Sequence, residues 1–130
     1  MRVKQVSVFV ENRPGRLQAM LQALKEAGSN IKTIFIADTS GFGIARLMFS
    51  DLEKGAEALR QAGFALTITD VLAVTVPDTP GSLLERVTKP LAAAGVNIDY
   101  IYSYPDLQEG KGVIILKVSD LEKAERVLGI

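Results

Sequence analysis

The chain opens on alternation. Between Val3 and Val10, Val6, Val8 and Val10 fall on every second position with Gln5 and Ser7 between them, the period of a strand with one buried face. From Leu17 the spacing changes. Leu17, Met20, Leu21, Leu24 and Ala27 recur three and four residues apart and predict an amphipathic helix, stopped by Gly28 as a left-handed cap. Asn30-Ile31 opens a second strand that runs to Ala37, and Asp38-Thr39-Ser40-Gly41-Phe42-Gly43 has the composition of a hairpin turn. Ile44 to Phe49 is apolar on both faces except at Arg46, which predicts a central strand. Ser50-Asp51-Leu52-Glu53 reads as a capping box, with Ser50 at the cap and Glu53 reaching back. Leu52, Ala56, Leu59 and Ala62 form the stripe of the helix it starts, Gly63 stops that helix, and Phe64, Leu66 and Ile68 alternate along a fourth strand.

This βαββαβ order then begins again. Leu72-Ala73-Val74-Thr75-Val76 is the new first strand, and Leu83, Leu84, Val87, Leu91 and Ala94 mark a helix capped by Gly95. Asn97-Ile98 opens the next strand, Val113 to Val118 is the apolar central one, and Ser119-Asp120-Leu121-Glu122-Lys123 repeats Ser50-Asp51-Leu52-Glu53-Lys54. Equivalent residues lie 66 positions apart at Gly15 and Gly81, 67 apart at Asn30 and Asn97, and 69 apart at Ser50 and Ser119. The chain is an internal duplication with small insertions. The predicted fold is α+β: two ferredoxin-like βαββαβ repeats with antiparallel sheets and helices on one face, divided as residues 1–70 and 71–130.

Three features of the pattern carry local expectations. Pro90 falls inside the third helix, in the region that holds the extra residue, so a bulge or break is expected near Lys89-Pro90. Phe64 to Val76 contains neither Gly nor Pro, which predicts a continuous strand at the junction and rigid coupling of the repeats. The second copy has no counterpart of Phe64-Ala65-Leu66, so it is expected to lack its last strand and to leave an edge open to pairing.

Composition narrows the function. The 130 residues, 48% of them hydrophobic, suffice for one ordinary domain or two very small ones. Fifteen basic and fifteen acidic residues cancel, which argues against a nucleic-acid partner. No apolar run approaches the ~20 residues of a membrane span, and the N-terminus lacks a secretory core, so a cytoplasmic protein with no membrane partner is expected. With no Cys and no His, disulfides, thiolate zinc sites, Ser-His triads and an imidazole base are excluded. No carboxylate spacing of the calcium-loop kind appears, so neither metal nor cofactor is expected.

The candidate chemistry sits at two corners, Asn12-Arg13-Pro14-Gly15-Arg16-Leu17 and Asp78-Thr79-Pro80-Gly81-Ser82-Leu83, each joining a strand to a helix. Pro suits the first helical turn, Gly permits a tight turn with no side chain over it, and the first N–H groups of the helix suit an anion. Such a corner followed by Gly-x-Asn-Ile resembles the ACT domain family, small-molecule sensing modules of amino-acid metabolism. The resemblance covers essentially the whole chain, twice, and Ala37 to Arg46 is further similar to stand-alone tandem ACT proteins. It implies regulatory amino-acid binding where the corner of one ACT unit faces the second strand of another. On this chain it implies one wall from Asn12, Arg13, Pro14, Gly15 and Leu17 or from Asp78, Thr79, Pro80, Gly81 and Leu83, and an opposing strand end from Asn30-Ile31 or Asn97-Ile98. Helix-start N–H groups would hold the ligand carboxylate and Asp78 its ammonium; Asn12 replaces that acid in the first copy, so the two sites should differ in charge preference.

Plainer readings stand beside these. Asn12 and Asp78 satisfy backbone groups at their turns in one, and Arg46 snorkels or pairs with an acid such as Asp38. Tyr100, Tyr102 and Tyr104 alternate onto one strand face as a ligand wall, a base-stacking platform or, more simply, sheet packing in an oligomer. Gly41-Phe42-Gly43 precedes a strand, not a helix, so it is no phosphate loop. The expected function is a non-catalytic, allosteric regulator that binds a small amino acid and signals through homodimerisation or an enzyme partner of amino-acid metabolism. The alternative is a ligand-independent regulatory subunit or scaffold for such an enzyme. An enzyme in its own right is disfavoured, because no acid-base pair emerges.

Overall fold

The computed structural model describes residues 1–38, 41–105 and 110–130, and the side chains of 104 and 105 lie outside the description. Thr39 and Ser40 of the expected hairpin turn, and the side chain of Tyr104, are therefore outside the described residues. The order is β1 (Arg2–Glu11), α1 (Arg16–Glu26), β2 (Ile31–Asp38), β3 (Phe42–Phe49), α2 (Leu52–Gln61), β4 (Leu66–Pro77), a π-helical turn (Leu84–Thr88), α3 (Lys89–Ala93), β5 (Ile98–Pro105), β6 (Lys111–Val118) and α4 (Leu121–Leu128). The chain forms two compact units, Lys4–Thr69 and Met1–Val3 with Asp70–Ile130.

In the Lys4–Thr69 unit, β3 lies between β2 and β1, antiparallel to both, and the start of β4 adjoins the far side of β1, where the Phe9 N–H donates to the Ala65 carbonyl at 3.0 Å. The apolar alternation of β1 becomes the core: Val6, Val8, Ala45 and Leu47 pack with Met20 and Leu24 of α1 and Leu59 of α2. The opposite face presents Phe9, Phe35 and Phe42, each more than two-fifths exposed. Arg46 stands on that face, with Ser7 and Phe35 as its cross-strand neighbours, while Asp38 sits opposite Gly43.

The Asp70–Ile130 unit repeats the plan, with β6 antiparallel to β4 and β5, and with Leu72, Leu91, Leu116 and Ala124 in its core. Its β4 has a second neighbour at the position where the sequence pattern left an edge. The Met1 ammonium donates to the Ala73 carbonyl at 3.0 Å, the Ala73 N–H donates to the Met1 carbonyl at 2.8 Å, and Arg2 is paired with Glu125 of α4. The junction strand is continuous from Leu66 to Pro77, as its composition predicts.

Pro90 and the extra residue are accommodated together. Leu84–Thr88 winds as a π turn, and the Lys89 N–H donates back to the Leu84 carbonyl, five residues away. The wider turn takes up one residue, and Pro90, which has no N–H to give, falls at the start of the regular helix that follows. The expected break near Lys89-Pro90 is thus a π bulge.

The capping expectation needs correction. The caps are Asp51 and Asp120, whose carboxylates accept from the N–H groups of Lys54 and Lys123 at 3.1 and 3.0 Å. Extended backbone at these Asp residues carries the carboxylate over the first turn, and the preceding Ser is left for another task. The hydroxyls of Ser50 and Ser119 accept from the N–H groups of Asn30 and Asn97, both at 2.9 Å, and the Ser N–H groups donate back to the same Asn carbonyls. The Asn-Ile and Ser-Asp motifs are two halves of one clamp that fixes where β2 and β5 begin.

The copies have adjusted their packing behind this clamp. In the first, Phe49, Gly55 and Ser29 meet; in the second, the equivalent positions are Val118, Ala124 and Val96. A Cβ on Gly55 would lie 2.6 Å from Cδ2 of Phe49 and 2.9 Å from Oγ of Ser29. Gly55→Ala should therefore cost about 1–3 kcal/mol by overpacking. With Phe49→Val present, the same change should be neutral or stabilising, because Ala exceeds Gly in helix propensity by about 1 kcal/mol. Urea unfolding of the four variants measures this; equal effects of Gly55→Ala in both backgrounds would contradict it.

Candidate functional site

Each corner is built around a glycine. Gly15 and Gly81 have φ of +87° and +86°, and a Cβ at either would meet nothing within 4 Å. These glycines are needed for their backbone conformation, since space is available. They also correct one expectation about the prolines. Gly15 is the N-cap of α1, which begins at Arg16, so Pro14 shapes the turn before the helix and is not part of its first turn. A left-handed residue between proline and helix makes that unavoidable.

Each corner hangs on the hairpin beside it. The Asn12 N–H donates to the Gly41 carbonyl at 3.1 Å, and at the equivalent place the Asp78 N–H donates to the Gly110 carbonyl at 2.7 Å. The strand register carries this on, pairing Val10 with Gly43 and Val76 with Gly112. A corner and a hairpin end thus enclose a shallow cavity in each unit. The first, of ≈ 210 Å³, is lined by Asn12, Arg13 and Leu17 with Glu11, Ile36 and Asp38, above a floor of Val10 and Gly43. The second, of ≈ 320 Å³, is lined by Asp78, Thr79 and Leu83 with Ser82, Ser103 and Lys111, above Val76 and Gly112. Seven of the lining positions are equivalent between the copies.

The predicted residues are therefore only partly brought together. Asn12, Arg13, Leu17, Asp78, Thr79 and Leu83 line the cavities, while Pro14, Gly15, Pro80 and Gly81 form the exposed turns beside them. Leu17 and Leu83, read from the sequence as core, are 39% and 38% exposed and serve as cavity walls. Asn30 and Ile31 lie at the other end of α1, a helix of 11 residues, against a separate cavity with Leu21, Leu24 and Lys25. Asn97 and Ile98 stand at the start of β5, where Ile98 packs on the core. Sequence reasoning missed Ile36, Asp38, Ser103 and Lys111. Extending the antiparallel register from each corner into its hairpin would have found them. Tyr100 and Tyr102 line neither corner cavity.

The charges at the two corners differ. In the first, the Glu11 carboxylate pairs with Nε of Arg13 at 2.9 Å and Nε of Arg16 at 3.7 Å, and the Arg16 guanidinium stands 4.8 Å from the centre of the Phe64 ring. In the second, Pro77 replaces Glu11 and Ser82 replaces Arg16, and the Ser82 hydroxyl lies 2.6 Å from that of Thr79. No cluster of three or more metal-ligating Asp, Glu, His or Cys occurs among the described residues, and no described helix is long and apolar enough to cross a membrane.

A family model described as an ACT domain pair matches residues 1–130. The chain belongs to this family. As an ACT pair it carries a regulatory fold, and one relative of known structure, a protein from Bacteroides thetaiotaomicron, matches it with a TM-score of 0.91 at 35% identity, over 99% of this chain and 88% of that one. The regulatory subunit of aspartate kinase from Thermus thermophilus, in its ligand-free form, matches with a TM-score of 0.69 at 19% identity, over 99% and 91% of the two chains. That from Thermus flavus gives 0.66 at 22%, over 99% and 92%. At these identities the two subunits show a shared fold. No curated protein matches the ACT pair in sequence.

One predicted site residue of the ACT pair is already engaged. The Asn97 carboxamide donates to Asp99 at 3.0 Å, and the Lys117 ammonium lies 3.4 Å from the same carboxylate. The hydrogen bond from Asn97, with Lys117 adding to it, holds the Asp99 carboxyl below its ordinary range. A lowered pKa favours the charged form in the folded state, so this contribution to stability is present above the ordinary carboxylate range and is lost as pH falls through the folded value. Asn97→Ala should raise the Asp99 pKa toward its ordinary value, read by carboxyl carbon NMR titration; an unchanged midpoint would contradict the assignment.

Proposed function

We propose that this ACT pair is a non-catalytic regulator that binds a small amino acid at a corner cavity and passes the signal on by association. The carrying observation is the cavity at the same seven positions in both repeats, with an acid and a base among its lining residues each time. An amino acid is a zwitterion, and such a wall offers each of its charges a partner. The corner glycines leave the main chain uncovered on that side, which favours a small ligand over a large one. The effector reaches its target through a second copy of the chain or through an enzyme of amino-acid metabolism, and the cytoplasm is the compartment where such an effector would be read. The role of the Thermus proteins, as regulatory subunits of aspartate kinase, supports the enzyme-partner form of this reading by analogy of fold.

A thermal-shift screen with each of the twenty amino acids at millimolar concentration tests the proposal. A ligand that binds only the folded state raises the melting temperature, and at a hundred times its dissociation constant it adds about 2.7 kcal/mol. One amino acid, or one chemical class, should give a selective shift. One of Gly15→Asp and Gly81→Asp, each placing a carboxylate at its corner, should abolish it, and which one does tells which copy holds the site. A folded sample that responds to none of the twenty would favour a ligand-independent regulatory subunit, whose expected sign is stoichiometric association with an enzyme in the absence of amino acids.

A further inference from the structure

The clamp that starts β2 and β5 is the same in both repeats, and what stands beside it is not. The β2 ladder slips between Ile31 and Thr33, and the β5 ladder between Ile98 and Tyr100, so Lys32 and Asp99 occupy the same bulge. A bulge takes a side chain out of the ladder and re-aims it. In the second repeat it sets Asp99 against its neighbours. The Asn97 carboxamide donates to one carboxylate oxygen at 3.0 Å, and the Lys117 ammonium donates to the other at 3.4 Å. These bonds are exposed and add little to the stability of the fold. They show what this place recognises: an asparagine amide at a strand start, with an ammonium beside it, holds a carboxylate.

The first repeat has the amide without the acid. The Asn30 main chain is held by Ser50, but its carboxamide has no partner among the described residues. Lys32 replaces Asp99, Met48 replaces Lys117 and Lys25 replaces Ala92, and neither Lys25 nor Lys32 pairs with an acid among the described residues. Lys25 and Asn30 line a cavity of ≈ 330 Å³ with Leu21, Leu24, Gly28 and Ile31. Ligand clefts usually run from about 300 to 1,000 Å³. The cavity lies at the C-terminal end of α1, where bare carbonyls would repel an anion. Here the Leu24 and Lys25 carbonyls are occupied, accepting from the N–H groups of Ser29 and Gly28 at 3.1 and 3.0 Å. The acid next to the clamp serine, Asp51, is turned to its own helix, where it accepts from the Lys54 N–H at 3.1 Å.

We propose that the start of β2 is a ligand site in its own right, and that it takes a small dicarboxylate. The Asn30 carboxamide and the Lys32 ammonium hold one carboxylate, as Asn97 and Lys117 hold that of Asp99. Lys25 holds the other, and the short carbon chain between them lies on Leu21, Leu24 and Ile31. In the second repeat the protein's own Asp99 fills the equivalent place. The site stands one helix length from the first corner and does not depend on amino-acid binding there.

Amide chemical-shift mapping of the full chain at low ionic strength, with succinate, butyrate and inorganic phosphate as probes, tests this. Succinate should shift residues 25 and 28–33, saturate in the millimolar range and leave residues 92 and 95–100 unmoved. Butyrate, of the same length with one carboxylate, and phosphate should bind at least tenfold more weakly. Lys25→Ala and Lys32→Asp each bring in the residue of the second repeat at an exposed position, so the fold should tolerate them and the spectrum stay dispersed. Each should weaken succinate binding at least tenfold, Lys25→Ala by removing a charge-assisted bond and Lys32→Asp by giving Asn30 a carboxylate of the protein's own. Equal binding of butyrate or phosphate would reduce the site to general attraction of anions by lysines and overturn the proposal. An equal response at residues 95–100, succinate binding that survives both substitutions, or no response at residues 25 and 28–33 would overturn it as well. Residues 12–17 and 78–83 are read in the same spectra, so any binding at the corners is scored separately.

Discussion

Everything that gives this chain its candidate site depends on one backbone hydrogen bond made twice. The Asn12 N–H reaches the Gly41 carbonyl, and the Asp78 N–H reaches the Gly110 carbonyl. Each bond ties the end of a first strand to the hairpin two elements later, before the chain turns through a left-handed glycine into its helix. Without that tie the corner would be an ordinary exposed turn. With it, a corner and a hairpin end become two walls of one cavity. The arrangement is main-chain geometry, so the side chains around it are free to diverge, and between the two copies they have.

At the opposite end of each repeat a second main-chain device fixes the frame. The Asn-Ser clamp sets where β2 and β5 start, and the Asp caps set where α2 and α4 start. The short motifs that identify the family are thus largely structural. Pro-Gly makes the corner, Asn-Ile and Ser-Asp hold the frame, and residues between the motifs, such as Glu11, Ser103 and Lys111, make the two cavities differ.

Most of the fold was legible because each element carried its own period: alternation in β1, helical spacing in α1, and the residue-for-residue return of Ser-Asp-Leu-Glu-Lys. Even the π bulge could be placed, since Pro90 and the added residue coincide. What could not be read locally was the neighbour of a strand. The pairing of Met1 with Ala73 joins residues 72 apart and leaves no periodic trace. The choice of Ser50 as a cap erred for a related reason, because its true partner, Asn30, is 20 residues away. The candidate site was half legible. The corner residues stood out by motif, while the hairpin residues opposite them became visible only through strand register.

The central claim is that the chain binds a small amino acid at a corner cavity. Equilibrium dialysis of the full chain against an equimolar mixture of the twenty amino acids, followed by amino-acid analysis of the retained fraction, tests this directly. The account predicts selective retention of one amino acid, or of one chemical class. Retention of none, or of all without preference, would contradict it.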